Sequence, residues 1–175
     1  EDIKSLDDIT KLPFITKEDI ADCDVMISAY GSGFDADPTL NHKAFLKYIE
    51  LNEGTKRHLI AIGGAGSLFT DSTHTTYCYE TPEHPDFLRE ISKNIKLGID
   101  ELKKTSNVNW TVVCPSSFFD SEGALTGNYE IGTEEQIIFN EAGESRVTYE
   151  DLAMAMLDIA EADNYNQKQI TVLTK

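Results

Sequence analysis

Basic residues and long apolar runs are both scarce in this sequence. Its 15 Lys and Arg stand against 31 Asp and Glu, which gives a formal net charge of −16. Binding to nucleic-acid phosphates or to an anionic membrane surface requires clustered Lys and Arg, so we expect neither partner. No stretch approaches the roughly 18 apolar residues of a membrane-spanning helix, and the first residues have no signal-peptide character. We therefore expect a cytoplasmic protein whose acidity serves mainly its solubility.

Cysteine is also rare, and its positions suggest neither a disulfide nor a metal site. Cys23, Cys78 and Cys114 are odd in number and have no paired spacing. Cys23 and Cys114 lie in or beside apolar runs, which favours buried, reduced thiols in a cytosolic protein. His74 and His84 are close to Cys78 in the sequence, but their spacings match no zinc-binding pattern. We therefore predict that no metal is bound.

Three apolar runs, by contrast, each end in small or polar residues. They are CDVMISAYGSG at 23–33, HLIAIGGAGSL at 58–68 and NWTVVCPSSFF at 109–119. Each run has the composition of a buried strand followed by a turn. Because the carboxyl ends of parallel strands meet at one edge of a sheet, the pattern predicts a ligand bound across that edge.

Strands and helices alternate along the chain, which predicts a doubly wound α/β fold. A chain of 175 residues fits one domain with a sizeable core. The predicted elements, in order, are a strand over 2–9, a helix starting at 16–19, a strand over 24–29, a helix over 41–53, a strand over 58–62, a long loop over 69–85, a helix over 86–105 with Phe87, Ile91, Ile95, Ile99 and Leu102 on one face, a strand over 110–113, a hairpin of 128–131 with 136–139, a helix over 149–161 capped by Thr148, and an edge strand over 169–173.

Four motifs together suggest a known family. GGAGSL follows a strand, and WTVVCPSSFF, TGNYEIG and SRVTYEDLAMAMLD come after it in that order. From about Asp2 to its end, the chain resembles the atypical short-chain dehydrogenase/reductase family. Within that family it is most similar to the NAD(P)H-binding, NADH-flavin-reductase-like proteins, which are relatives of the NmrA and biliverdin-reductase-B types. The resemblance implies a Rossmann-like, mostly parallel sheet in a three-layer α/β/α arrangement, and NAD or NADP as cofactor.

The sequence departs from this family at one important motif. The family begins with a strand and a G-x-x-G-x-x-G turn, whose backbone N–H groups hold the pyrophosphate. Neither Gly31–Gly33 nor Gly63–Gly66 replaces that turn, because each follows a later strand. We expect that residues 1–175 form a single NAD(P)-binding domain from which the first β-α-β unit is missing, rather than a natural short form.

The resemblance also implies which residues contact the cofactor. Adenine would lie at the end of the first predicted strand, although Asp7 and Asp8 are equally typical of a solvated helix cap. The ribose would lie along the turn after the second strand, and the nicotinamide beside the glycine-rich turn and the Pro-Ser-Ser segment. The implied cofactor-binding residues are Asp8, Ile9, Ala29, Tyr30, Gly31, Gly63, Gly64, Ala65, Gly66, Pro115, Ser116, Ser117 and Phe118.

The candidate catalytic residue is Ser67, near the position where classical family members keep a hydroxyl that polarises a substrate carbonyl. Those members pair it with Tyr-x-x-x-Lys on the next helix. Here Lys93 and Lys96 follow Arg89 and Ser92 at that spacing, so the tyrosine proton donor is missing. This disfavours carbonyl reduction. Ser67 also lacks the G-x-S-x-G context of a hydrolase nucleophile.

Hydride transfer to a flavin needs less from the protein, because both reacting rings belong to small molecules. We therefore predict an NAD(P)H-dependent oxidoreductase, a monomer or homodimer, that reduces a flavin (FMN or FAD) or a quinone-like acceptor. Tyr77, Tyr79 and Phe119 are candidate walls for this flat substrate, unless they only pack the core. Two alternatives stay open: a non-catalytic NAD(P) sensor of the NmrA type, and a sugar-modifying enzyme with Tyr77 or Tyr79 as proton donor.

Overall fold

The computed structural model describes residues 9–175, with side chains from Lys11 onward. The strands and α-helices, in chain order, are β1 (Val25–Ser28), α1 (Thr39–Asn52), β2 (His58–Ile62), α2 (Asp86–Lys103), β3 (Asn109–Pro115), β4 (Phe118–Asp120), β5 (Tyr129–Gly132), β6 (Arg146–Thr148), α3 (Tyr149–Ala162) and β7 (Lys168–Thr174). Short 3-10 helices occupy Ile9–Phe14, Ala65–Ser67 and Cys78–Glu80. The strand predicted over 2–9 falls outside the described residues, except that Ile9 begins a 3-10 helix.

The main sheet has the strand order β1-β2-β3-β7-β5. Its first four strands are parallel, and β5 is antiparallel to β7. The register pairs Ile27 with Ile60, Ile60 with Thr111, and Val113 with Ile170. The three inner strands are buried almost throughout, which explains why they are continuous apolar runs rather than alternating ones. A second, two-stranded parallel sheet joins β4 to β6.

The helices cover both faces of the main sheet. On one face, Phe45 of α1 and Ile99 of α2 pack against Leu59 and Val112. The opposite face buries its strand residues against α3, including Leu152, Met156 and Ile159. Successive strand side chains therefore point to different helices, as the period of two requires. The result is the predicted three-layer α/β/α fold.

Several predicted elements are confirmed with small changes in their bounds. β2 spans the predicted 58–62, and α1, α2 and α3 each begin and end within two residues of the prediction. Thr148 caps α3, because its hydroxyl accepts a hydrogen bond from the Asp151 backbone N–H at 3.0 Å. Over residues 9–175, no helix is long and apolar enough to cross a membrane.

The helix predicted to start at Thr16 is wrong. Thr16 does form cap-like hydrogen bonds to the Asp19 carboxylate, at 2.8 Å from its N–H and 2.9 Å from its hydroxyl. The following residues, 17–22, form turns instead of a helix. The buried guanidinium of Arg57 binds the backbone carbonyls of Ile20 and Cys23. These tertiary hydrogen bonds compete with continuation of a helix through the segment.

The predicted hairpin and edge strand are also wrong. β5 pairs with β7, whereas Gln136 forms an isolated bridge with Phe69. Because β5 adds to the sheet beyond β7, the strand predicted to be an edge lies inside the sheet. Strand propensity identifies extended segments but carries little information about their partners.

Candidate functional site

The carboxyl ends of β1, β2 and β3 form the edge of the sheet at which the sequence predicts a ligand. These strands end at Ser28, Ile62 and Pro115, in parallel register. The segments that follow them, 29–33, 63–67 and 116–118, therefore lie along one edge, hereafter the carboxyl edge. A cavity of about 390 Å³ lies instead at the amino ends of β1 and β2, beside Lys56 and Arg57. The predicted cofactor residues Asp8 and Ile9 lie outside the part whose side chains are described.

The turn after β1 combines a packed side chain with an open backbone. The Tyr30 ring packs against the core, and burial raises the pKa of its hydroxyl. Ala29 and Gly31 are exposed. A Cβ atom built on Gly31 would meet no heavy atom within 4 Å. The backbone of this turn is therefore accessible to a ligand.

The glycine-rich turn after β2 is fastened to the strands below it. The N–H of Gly63 donates to the carbonyl of Val113 at 2.9 Å, which continues the ladder of the sheet. A Cβ atom on Gly63 would lie 2.6 Å from Cys114 Sγ, and one on Gly66 would lie 2.6 Å from Ser92 Cβ. Both glycines are thus required for close packing of the turn on β3 and α2. Gly64 and Ala65, between them, are partly exposed.

Ser67 is buried under this turn, with 2% of its surface exposed. Its hydroxyl donates to the carbonyl of Gly64 at 2.7 Å and accepts a hydrogen bond from Gln169 Nε2 at 3.1 Å. Cys114 Sγ lies 3.6 Å away, and burial raises the pKa of that thiol. These contacts do not support the predicted catalytic role. They assign Ser67 to the positioning of the turn.

The segment after β3 divides into a buried and an exposed half. Pro115 and Ser116 are buried, and the Ser116 hydroxyl donates to the carbonyl of Val172 at 2.6 Å. Ser117 and Phe118 are exposed, and their N–H groups are held by Ser145 at 3.2 and 2.9 Å. Of the four predicted residues, Ser117 and Phe118 are the ones that offer side chains to a ligand.

The predicted substrate walls are packed against other rings. Phe119 lies against Tyr149, with ring centroids 3.9 Å apart. Tyr77 stacks on Phe69 at 4.3 Å and on Tyr79 at 5.8 Å. His74 stacks on the other face of this group, 4.5 Å from Phe69. The loop over 69–85 therefore carries a row of stacked rings, rather than isolated aromatic side chains.

Helix α2 carries the two lysines, Lys93 and Lys96, and no tyrosine lies four residues before either one. Ser92 lies four residues before Lys96, and its hydroxyl lies 3.0 Å from His84 Nε2. The ammonium of Lys96 lies over the Tyr77 ring at 4.7 Å and binds Asp100. Burial lowers the pKa of Lys96, but the hydrogen bond and charge of Asp100 outweigh it, so the net shift is upward. Burial raises the pKa of the nearby Tyr79 hydroxyl, although the charge of Lys96 opposes this shift.

Two arginines shape this region. The resemblance implies a bracing role for Arg146, whereas nothing in the sequence indicates the role of Arg89. Arg89 donates to the carbonyls of Tyr79, Thr81 and His84, and so ties the loop to α2. Arg146 forms an ion pair with Asp120 that links β4 to β6 and holds the pKa of that carboxyl below its ordinary value. Among residues 11–175, no group of three or more His, Cys, Asp or Glu side chains is placed to hold a metal ion.

Comparisons with known proteins agree with this architecture. No protein-family model matches the chain. It is 33% identical over 162 residues to the uncharacterised protein YwnB of Bacillus subtilis, an alignment that covers 92% of this chain and 75% of YwnB. The crystal structure of a candidate NADH-flavin reductase from Streptococcus pneumoniae matches with a TM-score of 0.88 and 34% identity, over 94% of this chain and 78% of that one.

A more distant structure supports the fold alone. A Rossmann-fold NAD(P)-binding family protein from Shigella flexneri matches with a TM-score of 0.57 and 14% identity, over 90% of this chain and 64% of that one. The sheet, its covering helices and these matches define the class as Rossmann-like α/β proteins. The chain belongs to the atypical short-chain dehydrogenase/reductase family, in the group of NADH-flavin-reductase-like and NmrA-like proteins.

Proposed function

We propose that this protein is an NAD(P)H-dependent oxidoreductase that reduces a flavin or a quinone-like acceptor at the carboxyl edge. The observation that carries the proposal is the composition of α2. Arg89 and Ser92, the latter with its hydroxyl 3.0 Å from His84 Nε2, are the residues four before Lys93 and Lys96, so α2 has no tyrosine at the spacing that carbonyl reductases use. Reduction of a flavin or quinone does not depend on that proton donor. The similarity to a candidate NADH-flavin reductase supports the same reaction type.

The residues of the carboxyl edge fit a dinucleotide. The exposed backbone at Ala29 and Gly31 leaves room for a ribose, because no heavy atom lies within 4 Å of a Cβ built on Gly31. When bound, NAD(P)H supplies the hydride. Ser117 and Phe118 are exposed at the end of β3, two strands further along the same edge, and would orient the nicotinamide and exclude water from one side. The protein's contribution is therefore placement of two rings rather than proton transfer.

The test is dinucleotide binding followed by turnover with the purified full-length protein. Trp110 is buried at the amino end of β3, far along the strand from the carboxyl edge, so its fluorescence is a poor reporter. The emission of NADH and NADPH themselves is the better signal. Saturable binding of either one, with loss of nicotinamide absorbance on addition of riboflavin, FMN or a water-soluble quinone, is the expected result.

Turnover also separates this proposal from its main alternative, a dinucleotide sensor that binds NAD(P) and regulates a protein partner. Saturable binding with no oxidation by any of the three acceptors would support the sensor and contradict the oxidoreductase. Absence of binding to either dinucleotide would contradict both functions.

A further inference from the structure

Two large aromatic side chains at the carboxyl edge are mostly exposed. Phe34 is 72% exposed and Phe87 is 66% exposed, although helical periodicity places Phe87 on the buried face of α2. Their rings contact each other edge to face, with centroids 5.7 Å apart and planes at 87°. This pair, hereafter the Phe34–Phe87 pair, bridges the loop after β1 and the first turn of α2.

The topology places the pair beside the proposed reaction site. Phe34 follows the carboxyl end of β1, and Phe87 begins the helix that the loop from β2 leads into. Phe118, which follows β3, is 59% exposed at the same edge. The rings predicted as substrate walls are packed on other aromatics, whereas these three expose more than half of their surface. They are thus the phenylalanines at this edge that are free to contact a flat ligand.

The loop that carries Phe34 is held in place by one buried side chain. The Asn41 amide accepts a hydrogen bond from the Ser32 N–H at 3.2 Å and donates to the Ser32 hydroxyl at 2.8 Å. It also donates to the carbonyl of Pro38 at 3.1 Å. Gly33, between these anchors, has a φ of +77°, a conformation that favours glycine. These hydrogen bonds and the conformation of Gly33 therefore hold Phe34 in its exposed position.

The charges around the pair are mostly negative. Residues 33–43 and 83–93 contain five carboxylates, at Asp35, Asp37, Glu83, Asp86 and Glu90, and three cations, at Lys43, Arg89 and Lys93. Each cation is paired with one carboxylate, Lys43 with Asp37 at 3.7 Å, Arg89 with Asp86 at 3.3 Å and Lys93 with Glu90 at 3.9 Å, so the excess negative charge comes from Asp35 and Glu83. A phosphate group brought to this surface would meet net repulsion, whereas an uncharged ring would not.

We propose that the Phe34–Phe87 pair is the acceptor-binding surface and that it selects flat acceptors without a phosphate group. This inference rests on the proposed function and narrows its substrate class. The acceptor is an uncharged isoalloxazine or quinone ring, and FMN and FAD are poorer substrates. Stacking on phenylalanine supplies the affinity, and the surrounding carboxylates supply the discrimination.

The experiment compares riboflavin, FMN and an uncharged quinone as acceptors, at low and high salt. Because Coulomb repulsion at about 10 Å is modest and is screened by salt, kcat/KM for FMN should be roughly three- to tenfold below that for riboflavin at low salt and should approach it at high salt. The Asp35→Asn variant should raise kcat/KM for FMN relative to that for riboflavin.

Variants of the two rings test the surface itself. The double change Phe34→Ala and Phe87→Ala should raise the KM for riboflavin and for the quinone roughly thirtyfold, since two stacked rings at about 1 kcal/mol each contribute about 2 kcal/mol. The Kd for the dinucleotide should stay unchanged, which also shows that the variant is folded. Leu157→Ala, which removes an apolar side chain of α3 that is 56% exposed, is the matched control and should alter neither constant.

Three outcomes overturn the inference, and they can be told apart. Equal kcat/KM for FMN and riboflavin at low salt would refute the charge selection while leaving the oxidoreductase intact. An unchanged acceptor KM in the double variant would refute the surface, and a simultaneous loss of self-association would reassign the pair to contact between copies of this chain. Absence of turnover with every acceptor would overturn the proposed function, and the acceptor site with it.

Discussion

The side-chain amide of Gln169 donates a hydrogen bond to the hydroxyl of Ser67 at 3.1 Å, across 102 residues of sequence. The same amide nitrogen lies 3.2 Å from the Ser67 carbonyl and 3.5 Å from Cys114 Sγ. Gln169 is 3% exposed. A buried amide on β7 thus anchors the glycine-rich turn, which explains why the Ser67 side chain is buried beneath it.

Ser67→Ala should therefore reduce stability more than it reduces activity. The change removes the donor to the Gly64 carbonyl and leaves the Gln169 amide with one partner fewer, so we expect a loss of about 1–2 kcal/mol in the free energy of unfolding. Denaturant unfolding measures this, and kcat in the same preparation should fall by less than about tenfold. Ser117→Ala, at an exposed serine of the same edge, is the control for stability. A much larger loss of kcat with unchanged stability would restore the catalytic role of Ser67.

Substitution by alanine should affect stability differently at two glycines of the carboxyl edge. A Cβ atom on Gly66 would overlap Ser92 of α2, whereas one on Gly31 would meet no heavy atom within 4 Å. Gly66→Ala should therefore cost about 1–3 kcal/mol of unfolding free energy by overpacking. Gly31→Ala should be nearly neutral in unfolding but should weaken dinucleotide binding, if the ribose approaches that backbone. Equal stability of the two variants would show that the turn at Gly66 relaxes freely.

Sequence periodicity predicted the layers of the fold better than it predicted the site. The strand at 58–62 and the cap at Thr148 are local features, since they depend on residues within four positions of each other. The pairing of β5 with β7 depends on segments about 40 residues apart, and the contact of Gln169 with Ser67 depends on residues 102 apart. Nothing in the local pattern of either segment identifies its partner. The exposure of Phe87 could not be predicted for the same reason. Helical spacing indicates on which face of a helix a residue lies, but not whether a neighbouring element covers that face.

His58 should make stability depend on pH. It is buried, and burial is the main cause that holds its pKa below the ordinary 6.5, although the Asp163 carboxylate opposes the shift. The hydroxyl of Thr111 donates to the Tyr165 carbonyl, so it must accept from His58 Nε2, at 2.8 Å. The other ring nitrogen, Nδ1, is then unprotonated and lies 3.5 Å from Asp163 Oδ1.

The sign of this dependence follows from the direction of the shift. Because the folded-state pKa is lower than the unfolded one, the unfolded chain binds the proton first as the pH falls. The contribution to stability is present above pH 6.5 and is lost as the pH falls through the folded pKa. Asp163→Asn should lower the pKa of His58 further, as measured by NMR titration of the ring. In the His58→Gln variant, the free energy of unfolding should no longer fall over this pH range. If the pH dependence of stability is unchanged in that variant, another group is its cause.

Asp151 should be among the most sensitive single positions in the chain. Its side chain is fully buried, and its two oxygens accept hydrogen bonds from the N–H and hydroxyl of Thr126, the N–H of Gly127 and the hydroxyl of Thr174, at 2.8–2.9 Å. Burial raises the pKa of this carboxyl, but these hydrogen bonds outweigh it, so the net shift is downward. The carboxylate fastens the loop at 126–127 and the end of β7 to the first turn of α3.

Asp151→Asn replaces one accepting oxygen by an amide that faces donors, so we expect a loss of about 2–4 kcal/mol in the free energy of unfolding. Glu150→Gln is the matched control, because it removes the neighbouring, exposed charge from the same helix turn and should change stability by less than about 0.5 kcal/mol. Since the folded pKa of Asp151 is depressed, its contribution is present above its ordinary pKa of 3.8 and is lost as the pH falls further. Chemical unfolding at neutral and at acid pH therefore separates loss of charge-assisted hydrogen bonds from loss of packing. The difference in unfolding free energy between wild type and Asp151→Asn should become smaller at acid pH. A difference that stays constant with pH would mean that the amide loses packing rather than charge-assisted hydrogen bonds.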